Sequence, residues 1–148
     1  MKDRHDLVST LKAFFQANAR GYSIEMAFLY GSWARGHPVE ESDVDVALFF
    51  LPERSSDDEL FRVITHISYE LSMKTGHEVN AIVLRQDFRK PMLYYNAIVP
   101  GVPLYIKKFE SYVMLKNQAV AQMEDFCLFD TGWQLEHARK NLELLQNA

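Results

Sequence analysis

Two short segments of the chain carry residue types that could do phosphate chemistry. Gly31 and Ser32 directly follow an apolar run at residues 24–30, and Asp43 and Asp45 lie at the start of the next apolar run. Glycine lets a backbone approach a ligand closely, and the first turn of a helix offers unpaired N–H groups to an anion. Gly31 and the hydroxyl of Ser32 could therefore hold phosphate oxygens.

The two aspartates alternate with apolar residues, which is the pattern of a half-buried strand. Because side chains at i and i+2 share one face of a strand, the carboxylates of Asp43 and Asp45 should lie side by side. Each would disfavour ionisation of the other, and Mg²⁺, which prefers oxygen ligands, would relieve that conflict. Alone, Gly-Ser is usually a turn and Asp-x-Asp a solvated strand end. Together, with ten residues between Ser32 and Asp43, they indicate metal-assisted phosphoryl or nucleotidyl transfer.

Hydrophobic periodicity predicts the elements that would position these residues. The predicted order is helix 4–19, strand 24–30, short helix 32–35, strand 43–51, helix 55–74, strand 79–84, a short helix from 91, strand 103–106, and a helical tail from about 110 that is interrupted near 130–132. This order indicates an α/β (or α+β) fold, in which helices flank a small mixed β-sheet and a helical tail follows. We expect a single domain over residues 1–148, with a core at about 7–108 and the tail at about 109–148.

Composition narrows the class of protein. Of the 148 residues, 48% are hydrophobic and 24% are charged, as in ordinary globular proteins. A formal charge of −4 argues against direct binding to nucleic acid, which usually needs a basic surface. Cys127 is the only cysteine, so no internal disulfide can form and a cytoplasmic location is expected. No apolar run approaches the ~18 residues of a membrane span, and the N-terminus lacks the pattern of a signal peptide.

The chain resembles the minimal nucleotidyltransferase (MNT) branch of the DNA polymerase β-like nucleotidyltransferase superfamily. The resemblance is carried by GSWARG at residues 31–36 and SDVDVAL at residues 42–48. Two later segments, GVPLY at 101–105 and EDF at 124–126, are similar to further motifs of that branch. The resemblance extends over residues ~7 to ~128 and implies the nucleotidyltransferase fold.

The same resemblance assigns roles to the glycine, the serine and the two aspartates of these motifs. It implies that Gly31 and Ser32 bind the phosphates of a nucleotide, ATP in the MNT case, and that Asp43 and Asp45 coordinate Mg²⁺. Arg35 could neutralise charge that develops on phosphate, although a surface role explains it equally well.

Two further candidate site residues lie on or next to the predicted strands, namely Ser42 and Asn80. Ser42 would cap or orient the start of the strand that carries the aspartates. The resemblance also implies a third carboxylate on the later strand, at a position where this chain has Asn80 instead. Asparagine can offer an oxygen ligand, but it has no charge and cannot act as a general base. Glu78 lies two residues earlier on the same strand face and could substitute for the missing carboxylate.

Small MNT proteins of this kind resemble the antitoxins of HEPN/MNT toxin–antitoxin pairs. The implied activity is Mg²⁺-dependent transfer of AMP from ATP to a tyrosine hydroxyl of a helical HEPN-type toxin. Two alternatives stay open. The chain could be a degenerate nucleotide-binding module that neutralises its partner by contact, through the helical tail from Glu110. It could also modify a small molecule, as aminoglycoside nucleotidyltransferases do. Homo-oligomers and hetero-oligomers are both compatible with the sequence.

Overall fold

A computed structural model describes residues 4–36, 42–51, 56–85 and 90–147. Two predicted features, most of the loop at HPVEES and the helix start at Ser55, lie outside these residues. The described helices and strands, in chain order, are α1 (Arg4–Asn18), β1 (Ile24–Tyr30), α2 (Ser32–Arg35), β2 (Val44–Phe50), α3 (Asp57–Thr75), β3 (Val79–Val83), α4 (Pro91–Ile98), β4 (Val102–Ile106) and α5 (Phe109–Gln146).

The four strands form one mixed sheet in the order β3-β2-β1-β4. β1 pairs antiparallel with β2 and with β4, whereas β2 pairs parallel with β3. Five of the seven residues of β1, and five of the seven of β2, are buried. Strands covered on both faces have continuous apolar sequences, which is why the runs at 24–30 and 44–50 do not alternate throughout. The predicted small mixed sheet flanked by helices is confirmed.

Each face of the sheet has its own hydrophobic core. On one face, α1 and α3 pack through residues such as Leu11, Phe15 and Ile67. On the other face, α4 and the first turns of α5 pack through residues such as Ile98 and Leu115. The two middle strands are therefore fixed from both sides, and the residues at their ends are held on a rigid support.

Gly101 allows α4 to pack closely on the sheet. A Cβ atom at this position would lie 1.9 Å from the carbonyl oxygen of Ala97 and 3.2 Å from that of Leu29. Any side chain would therefore push the end of α4 away from β1. The glycine of the GVPLY segment is explained by this close approach of two backbones.

The helix α5 is continuous over 38 residues, so the predicted interruption near 130–132 is wrong. Asp130 and Thr131 have the residue types of a helix cap, and Gly132 costs about 1 kcal/mol relative to alanine. These local preferences are outweighed because the flanking segments contain strong helix formers and no proline. Leu115 and Ala119 are buried, but every residue from 124 to 147 is exposed. We call residues 124–146 the distal half of α5. Within the described ranges, no helix has the length and apolarity to cross a membrane.

Candidate active site

The backbone at Gly31 lies directly against a carboxylate. Gly31 directly follows β1 and has φ +76° and ψ −153°, a conformation that is essentially restricted to glycine. A Cβ atom here would lie 2.5 Å from Oδ2 of Asp45. The antiparallel register explains the approach, because Tyr30, the preceding residue, faces Asp45 across the β1–β2 pair. The sheet therefore brings the glycine turn and the acidic pair together.

Ser32 begins α2, a helix of only four residues with Gly31 as its N-cap. Ser32 is half-buried, and Arg35 at the other end of the helix is exposed. Arg4 on α1 donates hydrogen bonds to the carbonyl oxygens of Trp33 (2.8 Å) and Ala34 (2.9 Å). These bonds satisfy two carbonyl groups that so short a helix leaves without partners. The first helix of the chain thus fixes the one that follows the glycine turn.

Trp33 packs in the core and does not offer its ring to a ligand. Its side chain is 2% exposed, and its Nε1–H donates to the carbonyl oxygen of Ser42 at 3.1 Å. Ser42 immediately precedes Asp43, so this bond anchors the chain just before the acidic pair. The bond uses the backbone carbonyl of Ser42, so the predicted role of the Ser42 side chain stays a prediction.

The two aspartates meet Asn80 on the neighbouring strand. Asp45 and Asn80 are register partners in the parallel β2–β3 pair, and Nδ2 of Asn80 donates to Oδ2 of Asp43 at 3.2 Å. Burial raises the pKa of Asp45, and the negative charge of Asp43 raises it further, whereas a hydrogen bond from Asn80 lowers it. The neutral amide thus offsets part of the repulsion between the carboxylates. Glu78 is exposed, and its backbone carbonyl accepts a hydrogen bond from Val44 N–H at 2.8 Å.

The donor set suits a cation that takes part of its shell from water and substrate. Among the residues that the structure describes, no group of three or more His, Cys, Asp or Glu side chains could hold a metal ion. Asp43 and Asp45 offer carboxylate oxygens, and Asn80 could add its Oδ1 if the amide turned over. Mg²⁺ is commonly held by one or two carboxylates plus substrate phosphates, so these residues fit Mg²⁺ in the presence of a nucleotide.

A cavity of about 200 Å³ opens beside the glycine turn, and no motif in the sequence predicts it. Burial, followed by the charge of Asp45, raises the pKa of Tyr30 to about 12, so its hydroxyl stays protonated near neutral pH. The only signals in the sequence are the position of Tyr30 next to Gly31 and one polar residue, Asn96, within the apolar segment MLYYNAIV. The cavity is lined by Tyr30, Gly31, Ala34, Arg35, Leu93, Asn96 and Pro100.

A mixed sheet that sets a glycine turn against paired carboxylates is an arrangement suited to nucleotidyl transfer. The protein-family model described as "Polymerase beta, Nucleotidyltransferase" matches residues 9–110, well over half of the chain. The chain therefore belongs to the polymerase β nucleotidyltransferase family. The match ends at the beginning of α5.

Several solved structures with the same fold come from toxin–antitoxin complexes. One, a crystal structure of a toxin–antitoxin with AMP-PNP, has 12% identity and a TM-score of 0.65, and the match covers 84% of this chain and 96% of the other. Another, the tri-AMPylated Shewanella oneidensis HEPN toxin in complex with MNT antitoxin, has 11% identity and a TM-score of 0.62, with 87% and 97% covered. At such identities the likeness shows the fold. Comparison with curated proteins finds no significant match.

Proposed function

We propose that this chain is a Mg²⁺-dependent nucleotidyltransferase that transfers AMP from ATP to a tyrosine hydroxyl of a helical HEPN-type toxin, and so acts as an antitoxin. The observation that carries the proposal is the approach of Gly31 to Asp45, which puts a backbone turn and a carboxylate pair within reach of one triphosphate. Family membership supports the transferase activity. Structural neighbours that contain AMP-PNP or an AMPylated HEPN toxin support the nucleotide and the acceptor.

In the proposed complex, Gly31 and Ser32 hold the triphosphate. Asp43 and Asp45 would hold Mg²⁺, with the amide oxygen of Asn80 as a further ligand. When bound, the cation neutralises charge on the phosphates and orients them for in-line attack. Both carboxylates must be ionised to do this. Burial, and then repulsion from Asp43, raises the pKa of Asp45, and a bound cation would relieve that repulsion.

The rest of the nucleotide would occupy the cavity beside the turn. Its wall combines apolar side chains with Arg35 and Asn96, which could contact phosphate and a polar edge of the base or sugar, respectively. Small-molecule sites commonly have this composition, with a few polar groups in an apolar lining. The protonated Tyr30 hydroxyl can donate a hydrogen bond into the same space.

The reaction forms a bond between the tyrosine oxygen and the α-phosphorus of ATP and breaks the bond from that phosphorus to the β-phosphate bridge. Pyrophosphate leaves, and the phenolic proton passes to water. Asn80 cannot accept that proton, which would make deprotonation of an ordinary alcohol difficult. A phenol has a pKa near 10, far below that of a serine hydroxyl, so it depends less on a general base. An asparagine rather than a carboxylate at position 80 therefore favours tyrosine as the acceptor.

The test is direct transfer to the natural partner. The purified chain, labelled ATP, Mg²⁺ and the helical protein encoded by the adjacent reading frame are incubated together, and the partner is analysed by intact mass. We expect the mass of the partner to increase by one or more AMP units. An Asp43→Asn, Asp45→Asn double variant should form the same complex but transfer nothing. Transfer that persists in this variant would remove the carboxylates from the mechanism.

Asn80 also favours a second candidate function, neutralisation of the partner by contact alone. Exposed aromatic residues on the distal half of α5, such as Phe129 and Trp133, would then provide the partner surface, because aromatic residues are enriched at interface hot spots. In the same experiment, a tight complex without any added mass on the partner would establish this function and refute the transferase.

A further inference from the structure

The distal half of α5 exposes more apolar surface than a free helix should. Five leucines, two phenylalanines and a tryptophan between residues 124 and 146 are each at least 38% exposed. Surfaces of this kind normally mark a protein–protein contact. The family match ends at residue 110, so this segment lies outside the part of the chain that the family accounts for.

The apolar residues of this segment lie on two opposite sides of the helix. At 3.6 residues per turn, one side carries the aromatic face, formed by Phe126, Phe129, Trp133 and Leu144. The other side carries what we call the leucine seam, formed by Leu128, Thr131, Leu135, Ala138, Leu142 and Leu145. Polar and charged residues separate the two faces, so two different surfaces could cover this helix.

The leucine seam follows the spacing of a coiled coil. Its residues are separated alternately by three and four positions, which is the a/d repeat of a heptad pattern. Five of its six residues are apolar. An amphipathic helix that docks in the groove of a globular partner needs only a broad apolar stripe. A strict a/d repeat is instead the pattern of a helix that pairs with one other helix.

We propose that the leucine seam pairs with the leucine seam of a second copy of this chain, in the antiparallel orientation. In that orientation Leu135 lies opposite Ala138 of the other copy, and Leu142 lies opposite Thr131. Each large side chain then meets a smaller one, which fills the seam evenly. Parallel pairing would instead align Ala138 with Ala138 and Leu135 with Leu135, and so alternate thin and thick layers.

Length agrees with the antiparallel register. The e and g positions that flank the seam carry Cys127, Gly132, Gln134, Arg139, Asn141 and Gln146. Arg139 is the one charged residue among them, and its level on one copy is five residues, or about 7.5 Å, from its level on the other, so like charges do not meet beside the seam. The free end of each helix also reaches the level of residue 126 on the other, so the whole exposed segment is used. The two globular parts then lie at opposite ends of the pair.

Oligomeric state provides the first test. The purified full chain should have twice its monomer mass of 17.2 kDa in sedimentation velocity and light scattering at micromolar concentration. Leu135→Glu should halve that mass. Leu144→Glu is the matched control, because Leu144 lies on the aromatic face of the same helix and has nearly the same exposure, 70% against 67%. Circular dichroism will show whether both variants keep their helix content.

The orientation is tested by disulfide formation between two single-cysteine proteins. The first carries Cys127→Ser and Leu128→Cys, and the second carries Cys127→Ser and Leu145→Cys. In the antiparallel pair the two new cysteines face each other, whereas two copies of residue 128 are about 25 Å apart, beyond disulfide reach. We expect a crosslinked dimer from the mixture and none from either protein alone.

Three results would overturn the proposal. A monomeric wild-type chain would show that the seam does not bind a second copy, and loss of HEPN-partner binding in Leu135→Glu would then assign the seam to that partner. A dimer that survives Leu135→Glu would place self-association elsewhere. Crosslinking of either single-cysteine protein by itself would indicate parallel pairing. None of these results depends on whether the chain transfers AMP.

Discussion

Replacing Asn80 by aspartate tests how the acidic pair is balanced. Asn80→Asp removes the amide that donates to Asp43 and adds a third carboxylate beside Asp45. At about 4 Å, two unit charges in a water-like environment repel by ~1 kcal/mol, and an exposed hydrogen bond contributes at most about as much. The variant should therefore lose roughly 1–2 kcal/mol without metal, which lowers the melting temperature of a chain of this size by roughly 2–8 °C.

Mg²⁺ should offset the destabilisation of Asn80→Asp and turn it into a stabilisation. Three carboxylates bind the cation more tightly than two carboxylates and an amide, and a ligand that binds only the folded state stabilises it by about 2.7 kcal/mol at 100 times its Kd. The assay is a thermal melt in EDTA and in a series of Mg²⁺ concentrations. We expect the stabilisation by Mg²⁺ to be larger in Asn80→Asp than in the wild type, and AMP transfer to be faster.

Asn117→Asp, an equivalent change at an exposed position of α5, provides the control for added negative charge. The reasoning is refuted if Asn80→Asp has the same melting temperature as Asn117→Asp in EDTA and if Mg²⁺ raises its melting temperature no more than it raises that of the wild type. Asn80 would then not be part of the balance of charge between the aspartates.

Three further experiments test the geometry of the site and the fold. Gly31→Ala and Gly36→Ala both put alanine at a positive φ, but only at Gly31 would the Cβ meet Asp45. Urea unfolding should therefore show that Gly31→Ala is less stable than Gly36→Ala by at least ~1 kcal/mol. Equal losses of stability would contradict the close approach of Gly31 to Asp45. Because the pKa of Asp45 is raised, the folded state binds its proton more tightly than the unfolded state does, and stability falls as pH rises above the ordinary aspartate range. Asp45→Asn should therefore raise the melting temperature at pH 7 in EDTA while it abolishes transfer, and a lower melting temperature would count against this. Gly101→Ala should lower the free energy of unfolding by ~3 kcal/mol or more, since its Cβ would overlap a backbone carbonyl. Gly132→Ala, where the added Cβ meets no other atom, should stabilise α5 by up to ~1 kcal/mol. Similar melting temperatures for the two variants would refute this account of Gly101.

The elements of the sheet could be predicted closely from the sequence. The predicted bounds of β1 and α2 agree with the structure, because an apolar run that ends at glycine gives a clear local signal. The predicted bounds of β2 and β3 differ by only a residue or so. The parallel register of β2 and β3 pairs Asn80 with Asp45, and a role for Asn80 as a ligand stays a prediction.

Other features depend on contacts between residues far apart in the sequence. The approach of Gly31 to Asp45 results from the pairing of β1 with β2. The cavity is lined on one side by α4, which begins at Pro91, far from Gly31 in the sequence. The interruption predicted near Gly132 failed for a different reason. Local cap signals compete with the helix preference of the residues on both sides, and no single position shows which effect is larger.

The hydrogen bonds from Arg4 to α2 have a practical consequence for how the chain is shortened. Arg4 precedes residue 9, where the family match begins, yet its guanidinium holds two carbonyl groups of the helix that follows the glycine turn. A protein trimmed to the family boundaries would keep Gly31, Ser32 and both aspartates and still lose this support. Measurements on such a fragment would report a loosened site, so the first turn of α1 belongs to the smallest unit in which nucleotide binding should be studied.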